Sequence, residues 1–74
     1  RYHEAQIGTV KEVLVESYDR YAERWFGRSA ADAPDIDGKV FFTCPSGRTV
    51  RPGEFIQVKI TDAMDWDLMG EWIG

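Results

Sequence analysis

The clearest pattern of apolar and polar positions lies between Ile56 and Thr61, where Ile56, Val58 and Ile60 alternate with Gln57, Lys59 and Thr61. A period of two predicts a strand with one buried face. It follows Arg51-Pro52-Gly53-Glu54, in which proline suits the second position and glycine the third position of a type II turn. Ile7 to Ser17 is also β-rich, but Val13 and Val15 fall on one face while Val10 and Leu14 fall on the other. A bulge, or a strand shared between two faces, accounts for that mixture.

Asp19 and Arg20 stand in a connection, and Tyr21 to Ser29 reads as a second strand with Trp25 and Phe26 as its apolar surface. Val40, Phe41 and Phe42 form a third, opened by the turn pair Asp37-Gly38 and closed by Pro45-Ser46-Gly47. Ala63 to Trp66 links the fourth strand to a fifth, Asp67 to Ile73, which carries Leu68, Met69, Trp72 and Ile73 around Gly70. A glycine inside a strand marks a bulge or a close backbone approach. Arg1 to Gln6 is polar and lacks an apolar period, as a linker does, and His3 in it has no metal-ligating neighbour and is expected to be solvated.

Five short strands without an amphipathic helix predict an all-β domain: a five-stranded antiparallel OB-like barrel, with an SH3-like barrel as the alternative of equal strand count. A chain of 74 residues makes one domain able to bury only about 60% of its unfolded surface, so the core must be compact. Ten aromatic residues, Trp 3, Tyr 3 and Phe 4, supply bulk for it.

Charge changes the picture. The net charge is −4. From Arg1 to Ala31 acids and bases cancel, so the whole deficit lies beyond, above all in Asp32, Asp35 and Asp37, around the rigid Ala33-Pro34 pair, and in Asp65 and Asp67 on either side of Trp66. Proline fixes its own φ and pushes the preceding residue to an extended conformation, so that loop is expected to be shaped and to present its acids. Such a surface suits a basic partner; the plainer alternative is that these aspartates are turn formers and solvated charges.

The candidate chemistry is that of a binding module. No Ser/His/Asp or Cys/His arrangement and no phosphate-cradling glycine loop occurs, and Asp35 and Asp37 sit on a turn where Ile36 alone between them is apolar, too little to raise a pKa. Cys44, the sole cysteine, permits no internal disulfide and no cysteine-based metal site; it reads as a small strand residue, half or fully buried, in a reduced, cytoplasmic setting. OB-like barrels often bind single-stranded nucleic acid on aromatic platforms, and Arg24, Trp25, Phe26 and Arg28 are candidates for one, but a pI near 4.8 lacks the cationic surplus that phosphate binding needs. Core or interdomain packing is the alternative role for those aromatics.

Ile7–Ser17, Gly27–Phe42 and Arg48–Gly74 together resemble a TRAM domain, the small β-barrel appended to RNA-modifying enzymes and radical-SAM methylthiotransferases. Gly27-Arg28-Ser29, Pro52-Gly53 before Val58 and Ile60, and Leu68-x-Gly70 carry the general pattern. The string Asp32-Ala33-Pro34-Asp35-Ile36-Asp37-Gly38 is narrower and resembles the RimO type, with Asp35 where glutamate is more usual. That resemblance implies residues 1–6 as a linker from an upstream radical-SAM domain and 7–74 as the TRAM domain, a monomeric piece of a longer chain, as the absence of an initial Met also suggests. It implies a parent enzyme using two 4Fe-4S clusters and S-adenosylmethionine, bound in upstream domains, to methylthiolate an aspartate β-carbon of small-subunit ribosomal protein S-twelve. This domain is then non-catalytic, without cofactor or metal. Its implied substrate-binding residues are Arg28, Ser29, Asp32, Pro34, Asp35, Asp37, Asp65, Trp66 and Asp67. Its implied partners are the basic ribosomal protein and the upstream domain; the alternative is an RNA-binding TRAM module of a tRNA methylthiotransferase or another RNA-modifying enzyme.

Overall fold

The computed structural model describes residues 3–29, 38–64 and 66–74. The expectations for the side chain of His3 and for Asp32, Pro34, Asp35, Asp37 and Asp65 lie outside what it describes. A 3-10 turn, His3–Gln6, precedes five strands: β1 (Val10–Asp19), β2 (Arg24–Ser29), β3 (Val40–Thr43), β4 (Phe55–Ala63) and β5 (Leu68–Trp72). They close into a barrel in the order β1-β2-β3-β5-β4, the all-β architecture that the strand signals predict. The seams β1–β2, β2–β3, β1–β4 and β4–β5 are antiparallel, whereas β3–β5 is parallel, pairing Val40 with Leu68 and Phe42 with Gly70. Period-two patterning fixes which side chains share a face but is silent on strand direction, so this seam had no signature in the sequence.

The alternating segment behaves as its pattern requires: Ile56, Val58 and Ile60 are buried between exposed Gln57 and Lys59. The mixed pattern of the first strand resolves by exposure, since Val10 is exposed and Leu14 only partly covered on the outer face; the strand does carry a bulge, but beyond these residues. β1 lies between β2 and β4, with Val13 opposite Ser29 on one side and Ile56 on the other, and its register to β2 shifts between Val15 and Ser17. Val13 and Val15 enter the core while Val10 stays exposed. The core gathers Val13, Val15, Val40, Phe42, Val50, Ile56, Val58, Ile60 and Leu68. Pro52-Gly53 turns as anticipated, with Gly53 at φ 94 and the Glu54 amide donating to the Arg51 carbonyl at 3.1 Å. Gly70 sits where a Cβ would overlap the Lys59 carbonyl, the close approach expected of it.

Tyr21 does not belong to the second strand. The Asp19 carboxylate accepts the amides of Tyr21 (2.8 Å) and Ala22 (2.9 Å), which bends residues 20–23 into the β1–β2 turn and delays β2 to Arg24. Those donors, Ala22 foremost, hold the Asp19 carboxyl below its ordinary value, against a smaller effect of burial. A depressed folded pKa contributes stability above the ordinary carboxylate pKa of about 3.9, and the contribution is lost as pH falls through the lower folded value. The stability difference between the native chain and Asp19→Asn is therefore expected to shrink as pH is lowered from about 5 towards 2. Denaturant unfolding across that range checks it; a constant difference would show that the turn does not depend on the charge.

Candidate functional site

At one end of the barrel lie the close of β2, the start of β3, and the β4–β5 connection, because antiparallel β2–β3 and parallel β3–β5 pairing bring those termini together. The connection that carries Asp32, Asp35 and Asp37 in sequence returns to the barrel at Gly38, and Gly38 packs directly on the β4–β5 connection. A Cβ there would overlap the Trp66 carbonyl oxygen and the Asp67 carboxylate. Glycine is needed at this position for space, and its φ is not in the left-handed region.

The junction is fastened by hydrogen bonds. The Lys39 amide donates to the Asp67 carboxylate at 2.7 Å, the Leu68 amide to the Lys39 carbonyl at 2.9 Å, and the Met64 amide to the Asp67 carbonyl at 2.8 Å. Asp67 thus has a definite structural task, holding the first residues of β3 to the start of β5. Beside it Trp66 is 68% exposed and Met64 is also exposed, a large apolar surface on a connection fixed at its base.

The remaining predicted site residues separate. Arg28 projects to the outside of β2, where its guanidinium pairs with Glu16 at 3.1 Å, and most of its side chain is exposed. Ser29 does not join that surface. Paired with core residue Val13, it has a buried hydroxyl oxygen with no hydrogen-bond partner among the described residues. The candidate aromatic platform divides as well, because neighbours on a strand face opposite ways. Trp25 packs on the core edge, opposite Phe42. Phe26 pairs with Phe41 on the outer face, their ring centres 5.9 Å apart.

The outer pair was missed by sequence reasoning, which treated Phe41 and Phe42 alike. Both are buried, but only Phe42 belongs to the core; Phe41 is covered on the other side of the sheet, with Phe26 beside it. The Lys39 ammonium lies 4.4 Å from the Phe26 ring centre, so a cation already occupies the face on which a base would stack.

Cys44 is partly buried against the core, and burial pushes its thiol above the usual value despite nearby Arg48. Among the described residues no group of three His, Cys, Asp or Glu could hold a metal ion. A thiolate-bound cluster requires several cysteines and the chain has one, so its residues do not fit such a group. No helix among the described residues is long and apolar enough to cross a membrane.

Comparison with known proteins agrees with this construction. Residues 7–73 match the TRAM domain family. The chain is 43% identical over 72 residues to ribosomal protein uS12 methylthiotransferase RimO of Symbiobacterium thermophilum, covering 96% of this chain and 15% of the relative. It is 50% identical over 68 residues to the protein of the same name in Sorangium cellulosum, covering 90% and 13%. In Desulforamulus reducens the figures are 47% over 70 residues, covering 93% and 15%. The chain therefore spans a small fraction of the length of these relatives. A closed five-stranded barrel and a family match over almost all of its residues show that the chain belongs to the TRAM domain family.

Proposed function

We propose that this domain is a non-catalytic substrate-recognition module of a methylthiotransferase like its relatives, the ribosomal protein uS12 methylthiotransferases. In that reading the parent enzyme is cytoplasmic and methylthiolates an aspartate β-carbon of the basic ribosomal protein. Radical chemistry, with iron–sulfur clusters and S-adenosylmethionine, belongs to upstream domains joined through residues 1–6. Residues 7–74 present the acidic loops.

The observation that supports it is the junction of Gly38 with Trp66 and Asp67, which ties two acidic connections to one end of the barrel. Acidic residues on connections that meet the barrel at one end suit the steering and orientation of an oppositely charged partner, while an exposed tryptophan on a fixed base suits a contact anchor. Asp32, Asp35, Asp37 and Asp65 take the steering role, with Pro34 shaping their loop. Asp67 contributes by holding the junction, and Arg28, paired with Glu16, stands at the margin.

Converting Asp32, Asp35, Asp37 and Asp65 to asparagine, with Asp67 left in place, is expected to slow association of the full enzyme with its ribosomal protein by about tenfold at low salt and to flatten its salt dependence. Stopped-flow measurement at two ionic strengths reads both. Unchanged rates would return these residues to the role of turn formers. A parallel titration with an unstructured RNA oligonucleotide is expected to show binding weaker than micromolar, since acids outnumber bases and Lys39 covers Phe26. Tighter, salt-sensitive RNA binding would instead favour the RNA-module reading.

A further inference from the structure

The opposite end of the barrel, between the β1–β2 turn and the β3–β4 connection, holds a cavity of about 300 Å³. That volume is at the lower limit of ligand pockets and fits one large side chain. Its apolar wall is Tyr18 and Trp25, backed by fully buried Phe42, with Cys44 beside them. Tyr18 and Trp25 meet edge to face, ring centres 5.7 Å apart, and Tyr18 remains half exposed, so the aromatic wall is open to an entering ring.

The rim is charged. Arg24 and Arg48 line it against one carboxylate, Glu23, and among the described residues neither arginine forms an ion pair. The Arg24 guanidinium gives one N–H to the Ala22 carbonyl at 3.0 Å, while its Nε is buried and has no acceptor among the described residues. Arg48 lies 4.5 Å from the ring centre of Trp72. Glu23, which leads into Arg24, has φ 57, a left-handed conformation uncommon outside glycine, asparagine and aspartate. The balance of two guanidinium groups against one carboxylate suits a single negative charge next to an apolar group. A polyanion would meet the net charge of −4 carried by the whole chain.

We propose that this cavity binds a peptide segment by one aromatic side chain, seated on Tyr18 and Trp25, with an adjacent carboxylate paired to Arg24. The site is separate from the acidic loops and takes a partner of opposite charge, so one barrel can hold a basic substrate at one end and an acidic, aromatic segment at the other. Pairing with a carboxylate gives the Arg24 guanidinium the acidic partner it lacks among the described residues.

Titration of the isotopically labelled chain with N-acetyl-L-phenylalanine, followed by NMR, tests this. Saturable shifts are expected at the Trp25 indole and the Arg24 Nε–H. N-acetyl-L-phenylalaninamide, which keeps the ring but lacks the charge, is expected to bind at least tenfold more weakly. Arg24→Gln should produce a similar loss; if that variant unfolds, the comparison of acid and amide on the unaltered chain still decides. Equal affinity for the two compounds, tighter binding of uridine monophosphate at the same residues, or no shift at Trp25 and Arg24 would each overturn the proposal.

Discussion

Replacing Val58 with aspartate is expected to leave the chain without a cooperative unfolding transition. Val58 is fully buried, facing Lys11 of β1 and Trp72 of β5 from the middle of β4. Losing its burial costs about 1.5–3 kcal/mol, and enclosing a carboxylate without a partner costs several more unless it is protonated. A domain of this length holds roughly 5–10 kcal/mol in total, so the substitution removes most or all of it. Gln57→Asp is the matched control: same charge, adjacent position, outward face, and an expected change within about 0.5 kcal/mol. Thermal melts followed by circular dichroism compare the two, and a native-like melt for Val58→Asp would mean that the inward face of β4 has been misidentified.

The second large effect is expected at Gly38. An added methyl group would collide with the Trp66 carbonyl and the Asp67 carboxylate, and backbone gives way less readily than a side-chain tip. Overpacking of this kind costs about 1–3 kcal/mol. Displacing Asp67 from the Lys39 amide adds about 1 kcal/mol. Gly38→Ala should therefore lower the urea midpoint clearly and raise hydrogen exchange at the amides of Lys39 and Met64, with the rest of the barrel less affected. Asp67→Asn retains an acceptor and should stay close to the native chain. If exchange at both amides is unaltered in Gly38→Ala, the two connections are not tied through this residue.

The parts of the fold visible in the sequence were those governed by neighbours along the chain. Ile56, Val58 and Ile60 announced a face by their spacing, and Pro52-Gly53 announced a turn by its backbone requirements. The limits of β2 were less legible because Tyr21, a good strand residue, is held in a turn by the Asp19 carboxylate. At the candidate site the acidic segments stood out by charge, but the contact that unites them is between Lys39 and Asp67, separated by 28 positions. Nothing local records such a partnership. The opposite facing of Trp25 and Phe26 follows from strand geometry once β2 is accepted, yet the burial of Phe41 on the outer side depends on what covers that side of the sheet.

The order in which the strands meet bears on how fast the chain folds. Residues Val10–Leu14 pair with Phe55–Lys59, and closing the circle also needs the parallel β3–β5 seam, so neither half can be completed without the other. The two hairpin-like seams, β1–β2 and β4–β5, can form early from neighbouring residues, but each leaves an apolar face bare until the distant pairings arrive. Loop-closure entropy must be met before those contacts stabilise anything, which places folding in the millisecond-to-second range of non-local β proteins. During that interval the strand edges remain open to pairing with another chain, so refolding yield should fall as protein concentration rises.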